Sequence, residues 1–357
     1  MEKKGRVLEG DEKNLVLIKI LLEQEMKIND ILLLVHLDNE KEFLEKYGLS
    51  DKLDDLEALN LQIDEALDFL SNKNKKKDET NKYINSHEIN VKVFNDTMNW
   101  ISENKKLSDA VAKTVSSQFV WKEGEDFPVE TEEKNPSLET KVFTSSKRTF
   151  EAAEKYAKAG KRVAVLNFAN NHHVGGGVIT GANAQEECLC RCSTLYPCIR
   201  DSKMMIDFYN YHVRLFENRK IDFTGNDDLI YSPGVVVCKT DTPVPERMEE
   251  KDWYKVDVIT AAAPNLRGLW FDTDKEYEIH LTRFTAILEA AKKMGAEVLI
   301  LGAFGCGAFA NRPEVVAHAA FDALKYYKGF FETVEFAVFS TMRDRQNYNE
   351  FVKVFGE

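Results

Sequence analysis

From about residue 140 the chain alternates short, continuously apolar runs with amphipathic stretches, and this pattern limits its fold more than any other feature. The runs are TKVFTS, KRVAVLNF, GVVVCK, VDVITAAA, EVLILGAF and TVEFAVF. A strand that is apolar at successive positions has no face suited to water, so it belongs in a sheet covered on both sides. Between the runs lie TFEAAEKYAKAG, EIHLTRFTAILEAAKKMG and PEVVAHAAFDALKYYKG, with apolar residues at helical spacing. Strand–helix alternation of this kind predicts an α/β fold with a mostly parallel or mixed sheet between layers of helix.

The chain before this region reads differently. LVLIKILLEQEM, INDILLLVHLDNEKEFLEKYGL and LDDLEALNLQIDEALDFL carry a 3.6-residue period and few Gly or Pro, which predicts a small acidic bundle of three helices. SNKNKKKDETNK at 71–82 is polar and lysine-rich and reads as a solvated linker. Residues 1–85 are therefore expected to form a helical N-terminal extension, and 86–357 the main domain. NVKVFNDTMNWISENKKLSDAVAKTVSSQF continues as helix into that domain. The helices of the extension are the natural place for a protein partner.

A net charge of −12 over 357 residues argues against long-range attraction to nucleic acid or to an anionic membrane. No apolar run reaches the ~18 residues of a membrane span, and MEKKGRVLEGDEK lacks the features of a signal peptide. The six cysteines fit free thiols better than a disulfide framework. Together these features predict a soluble, cytoplasmic chain.

In sheets of this class, ligands sit at the carboxyl ends of the strands, and both Gly-rich stretches fall there. The first follows Phe168 and holds Gly175, Gly176 and Gly177; GANAQEECLCRCSTLY then reads as a helix capped by Asn183. The second, LGAFGCGAFANRP, holds Gly302, Gly305 and Gly307 ahead of a helix with Pro313 in its first turn. Strand, glycine loop and helix N-terminus together make an anion site from backbone N–H groups. The second loop is GxxGxG, not the dinucleotide fingerprint GxGxxG, and no Walker lysine follows either loop.

Glu186 and Glu187 are neighbours on a helix, so their side chains should diverge by about 100°, unlike the facing pair of an ordinary glycosidase. A helix start favours their ionised form, whereas a general acid needs a raised pKa, which burial against a ligand would supply. Cys188, Cys190, Cys192 and Cys198 lack the usual CxxC knuckle, and CxCxC on a helix spreads the thiols around its axis; no metal is expected. Cys306, between two loop glycines, suits a small residue beside an anion better than a nucleophile. His172 and His173 read as solvent-facing, and His212 and His280 as structural. Tyr196, Phe304, Phe309 and Trp270 stand near the motifs, where core packing accounts for each.

Taken together, GGG, seven residues and QEE resemble the signature of the poly(ADP-ribose) glycohydrolases, specifically the bacterial-type branch of that macrodomain-related family. The likeness extends to NFAN, LCRCSTLY, YSPGVVV, VDVITAAAPN and GAFGCGAFANRP, and covers roughly residues 90 to 345. It implies a three-layer α/β/α macrodomain-like mixed sheet that binds ADP-ribose without a cofactor. By this resemblance Glu187 would be the general acid/base at the ribose–ribose O-glycosidic bond, and Glu186 would hold a ribose hydroxyl. Asn170 would contact the distal ribose, and Gln185 would also bind substrate. Gly175, Gly176, Gly177 and Val178 would line the ribose and diphosphate, and Gly305, Cys306, Gly307, Ala308 and Phe309 would wrap the diphosphate. The chain departs from the common NFANPxxPGGG form by placing Asn171 and Val174 where the prolines stand. The resemblance and the retained Glu187 together imply an enzyme that hydrolyses poly(ADP-ribose) to ADP-ribose; removal of mono-ADP-ribose from protein or nucleic acid and non-catalytic binding of ADP-ribose are the alternatives.

Overall fold

A computed structural model of the chain describes Leu44 and residues 86–125, 138–341 and 344–357. The chain divides into two compact units, Met1–Asn85 and Ser86–Glu357. The expected N-terminal bundle and its linker lie outside the described residues.

The second unit begins with α1 (Ser86–Glu103) and α2 (Lys105–Ser117). The helix expected to run through this stretch is interrupted at Asn104, whose side chain accepts from the N–H groups of Lys106 and Leu107 and so caps α2. Helix ends at Ser117, and Phe119, the last residue of the expected helical stretch, instead opens the edge strand β1 (Phe119–Trp121). There follow β2 (Lys141–Ser145), α3 (Thr149–Lys158), β3 (Val163–Phe168), α4 (Gln185–Cys192) and α5 (Leu195–Ile199). A π-helical turn at Met205–Tyr209 leads into α6 (Asn210–Glu217), then β4 (Leu229–Val237) and β5 (Tyr254–Ala261). The chain closes with α7 (Thr273–Lys293), β6 (Val298–Leu301), α8 (Pro313–Leu324), β7 (Thr333–Ala337) and α9 (Gln346–Phe355).

The seven strands pair in the order β1-β4-β5-β3-β6-β7-β2. From β5 to β2 the pairs are parallel, whereas β4 runs antiparallel to β5 and β1 antiparallel to β4. The sheet is therefore mixed, with the antiparallel pairs confined to one edge. Strand β4 begins earlier than its apolar GVVVCK core suggests, because a bulge between Ser232 and Val235 absorbs Pro233 and Gly234. There the Asp257 carboxylate accepts the Gly234 N–H and the Tyr231 hydroxyl.

Along β3, Ala164 and Leu166 pack on one face with Phe284 of α7 and Val316 of α8. Val163 and Val165 pack on the other face with Phe150 of α3 and Leu189 of α4. Successive side chains of one strand thus enter two separate cores, as the continuous apolar runs require, and the sheet is the middle of three layers. Among the described residues, no helix is long and apolar enough to cross a membrane.

Candidate active site

The carboxyl ends of β3, β5, β6 and β7 open into a cleft of about 640 Å³. One wall is the turn after β3 together with the start of α4. Three consecutive side chains of α4 reach back to that turn. Gln185 Oε1 accepts the Phe168 N–H at 2.9 Å, Glu186 Oε2 the Asn170 N–H at 2.9 Å, and Glu187 Oε1 the Gly177 N–H at 2.8 Å. Gln185 also donates to Leu166 O and Thr149 Oγ1, so its amide is fully committed to holding α4 against β3. Its part in the site is therefore to position rather than to bind.

The two carboxylates meet despite leaving the helix about 100° apart. A Cβ on Gly176 would lie 2.5 Å from Glu187 Oε1 and 3.1 Å from Glu186 Oε2. Gly176 has φ +58°, a left-handed conformation, and leaves the space that both acids occupy. The expected divergence holds at Cβ and is lost at the carboxyl ends, because both side chains bend toward amide donors of one loop. Both glutamates are buried. Burial pushes the Glu186 pKa up to about 8; the bond from Asn170 opposes this rise, and the charge of Glu187 adds to it. Both Glu186 oxygens have protein partners, since Asn167 Nδ2 lies 3.3 Å from Oε1. Glu187 Oε2 is buried with no hydrogen-bond partner.

The helix reading of this region needs two corrections. Ala184, not Asn183, occupies the cap position of α4, and it makes no side-chain cap. Asn183 Oδ1 instead accepts from Arg191, a buried guanidinium that also donates to Ala182 O. The helix stops at Cys192, because Ser193 turns extended and bridges to Val237 of β4.

Helix α1 supports the same loop from behind. Asn90, itself buried, donates to Gly181 O at 2.9 Å, and Thr97 donates to Arg191 O at 2.7 Å. On the front, the Asn170 side-chain oxygen accepts from the N–H groups of His172 and His173 and so holds the bend leading into the glycines.

The opposite wall is the second glycine loop. Gly305, Gly307, Ala308 and Phe309 line the cleft, and their N–H groups have no acceptor among the described residues. Asn311 fixes the loop: it donates to Gly305 O and Pro264 O, and His280 Nε2 stands 2.7 Å from its Oδ1. A Cβ on Gly305, at φ +78°, would collide with Ala263 and with Asn311 itself. His280 is structural, as expected, and acts through this loop. Free amides in a cleft that Arg148 and Arg267 also line suit a diphosphate.

Several residues fall otherwise than the sequence suggested. Gly175, Val178 and Cys306 stand outside the cleft lining, with Val178 fully buried in the core behind the loop. His173 is exposed, as expected, and stands at the cleft, whereas His172 is half-buried against Phe216. Tyr196 and Phe304 pack in the core, but Trp270 is 90% exposed. All six cysteines are free thiols, and among the described residues no three His, Cys, Asp or Glu side chains form a group that could hold a metal ion. Sequence reasoning missed Arg148, Asp241, Asn265, Arg267, Phe339 and Asn347. Asn265 stands at the end of VDVITAAAPN, and Arg267 only two residues beyond it. Arg148 belongs to no motif; it lies 4.2 Å from the Phe339 ring centre and 3.8 Å from Cys188 Sγ.

Comparison with known proteins agrees with this geometry. The family model "Microbial-type PARG, catalytic domain" matches residues 73–240. The structure of poly(ADP-ribose) glycohydrolase from Thermomonospora curvata is 30% identical, with TM-score 0.64, over 74% of this chain and 99% of that one. Its complex with the inhibitor ADP-HPD superposes with TM-score 0.62 at 30% identity, over 74% of this chain and 98% of that one. The enzyme from Deinococcus radiodurans in complex with ADP-ribose is 27% identical, with TM-score 0.55, over 68% of this chain and 95% of that one. A search of the curated proteins finds no match. With a 30% identical relative spanned almost end to end, the chain belongs to the microbial-type poly(ADP-ribose) glycohydrolase family.

Proposed function

We propose that the chain hydrolyses the ribose–ribose O-glycosidic bond of poly(ADP-ribose) and releases ADP-ribose, with Glu187 as general acid and then general base. The observation that carries the assignment is the unpartnered, buried oxygen of Glu187 at the cleft. Glu186 has both oxygens held by protein, so Glu187 is the acid with a lone pair left for substrate.

The free amides of Gly305, Gly307, Ala308 and Phe309, with Arg148, hold the diphosphate. This binding energy places the distal ribose over Gly176 and Gly177, beside Glu187. Glu187 delivers its proton to the leaving 2′-oxygen as the bond to C1″ opens, and positive charge develops on the ribose. A water then adds to C1″ and returns its proton to Glu187, leaving ADP-ribose. Glu186 is neutral near pH 7, so its O–H is a donor left over for a ribose hydroxyl. Asn170 presents its remaining amide nitrogen to the same sugar.

Residues 86–357 carry the activity, and 1–85 form an extension suited to a protein partner. Six unpaired thiols accord with a reducing, cytoplasmic setting. The test is release of ADP-ribose from purified poly(ADP-ribose) by the native chain and by Glu187→Gln. Loss of about 10³-fold or more in the variant, with ADP-ribose affinity retained, is expected. Equal activity in the two proteins removes Glu187 from the mechanism. Binding of ADP-ribose without hydrolysis by the native chain would make it a reader.

A further inference from the structure

Trp270, at 90% exposure, stands beside half-exposed Leu269, with Phe223, also partly exposed, close by. The turn that carries it is tied down at both ends. Leu266 N–H donates to Phe309 O, Leu269 N–H to Leu266 O, and Arg267 Nε to Ala308 O, while Arg312 donates to Phe271 O. Phe271 in turn meets the ring of Phe223 at 5.8 Å. An indole held outward on a fixed turn loses little freedom when a flat ring covers it.

The turn lies at one particular end of the cleft. Asn265 and Arg267 line the cleft, and Asn265 N–H donates to Phe223 O. Two residues further on, Gly225 packs against Asn171, the neighbour of the Asn170 that holds Glu186. The lip is therefore on the carboxylate side, whereas Arg148, Asp241 and Phe339 form another part of the wall, shared with a neighbouring cavity. On the carboxylate side the glycosidic bond opens and the remainder of the polymer leaves. Trp270 is three residues from Arg267, a reach of at most about 10 Å.

We propose that the Leu269–Trp270 turn is a subsite for the polymer unit on the leaving side of the bond: its adenine stacks on Trp270, and Arg267 faces its phosphates. This deepens the glycohydrolase reading and rests on it. Base stacking is available to any adenine, whereas the net charge of the chain gives no general attraction to a polyanion, so a local cation beside an aromatic ring supplies what the surface lacks.

The test compares the native chain, Trp270→Ala and Trp270→Phe by polymer kinetics and by calorimetry with ADP-ribose. We expect Trp270→Ala to raise KM for poly(ADP-ribose) about tenfold, with ADP-ribose affinity unchanged and Trp270→Phe close to native. An unchanged KM in Trp270→Ala overturns the subsite. So does equal weakening toward ADP-ribose and polymer, which would place Trp270 in the cleft itself. If the native chain releases no ADP-ribose, the hydrolase reading falls and polymer retention on filters decides the subsite. Trp270-dependent preference for polymer over ADP-ribose then keeps it, and no such preference removes it.

Discussion

Replacing Glu186 by Gln should remove a destabilisation that grows with pH. The Glu186 carboxyl is 3% exposed, and burial raises its pKa from 4.5 to about 8. Between those values the folded chain holds a proton that the unfolded chain has released. Stability from this group is therefore fully present below about pH 4.5 and falls as pH rises toward 8. A gap of roughly 3.5 units sets an upper limit of about 5 kcal/mol on the loss. Glutamine fits the same contacts: its oxygen accepts from Asn170, and its amide meets Asn167. The Asn167 Oδ1 has no partner, and a flip of that amide presents it to the new donor. Urea unfolding of the native chain and Glu186→Gln from pH 5 to pH 8 reads the effect, because titrating groups that do not interact with Glu186 cancel in the difference. The variant should gain little at pH 5 and about 4 kcal/mol by pH 8. A difference that stays constant across this range would show that Glu186 is ionised throughout and refute the reasoning.

Two other substitutions probe the loop. Gly176→Ala places a methyl against both carboxylates at a left-handed φ, so kcat for polymer should fall at least 100-fold; circular dichroism checks that the fold survives, and near-native kinetics would deny the close approach. Asn90→Ala leaves the Gly181 carbonyl without its donor and should cost about 2 kcal/mol in thermal unfolding, with a fall in kcat/KM; a loss of stability with full activity would separate α1 from the catalytic loop.

The chemistry of this site was legible where a function requires a residue type at a fixed spacing. The run Gln185-Glu186-Glu187, the three glycines and GAFGCGAF could be read because few other folds need them in that order. The six apolar runs likewise marked β2 to β7, since strands buried on both faces leave a continuous signal. Strand β1 was hidden because three residues at the end of a helical pattern carry no periodicity of their own. The start of β4 was hidden by Pro233 and Gly234, which read as a turn until the Asp257 carboxylate is seen to hold the bulge. Arg148 and Phe339 meet across nearly two hundred residues of chain, a contact that local pattern does not encode. The exposure of Trp270 was misread for the opposite reason: in NLRGLWF an aromatic residue looks like core, and only the turn geometry turns it outward.

The three bonds from Gln185, Glu186 and Glu187 to the amides of Phe168, Asn170 and Gly177 have an entropic consequence. The glycine-rich span between β3 and α4 would be costly to order around a ligand if it closed as one free loop. Each bond divides that span into a shorter segment, and the smallest closure costs remain. The disorder that the glycines bring is thus surrendered during folding, so little of a ligand's binding energy is spent on arranging the loop that receives it.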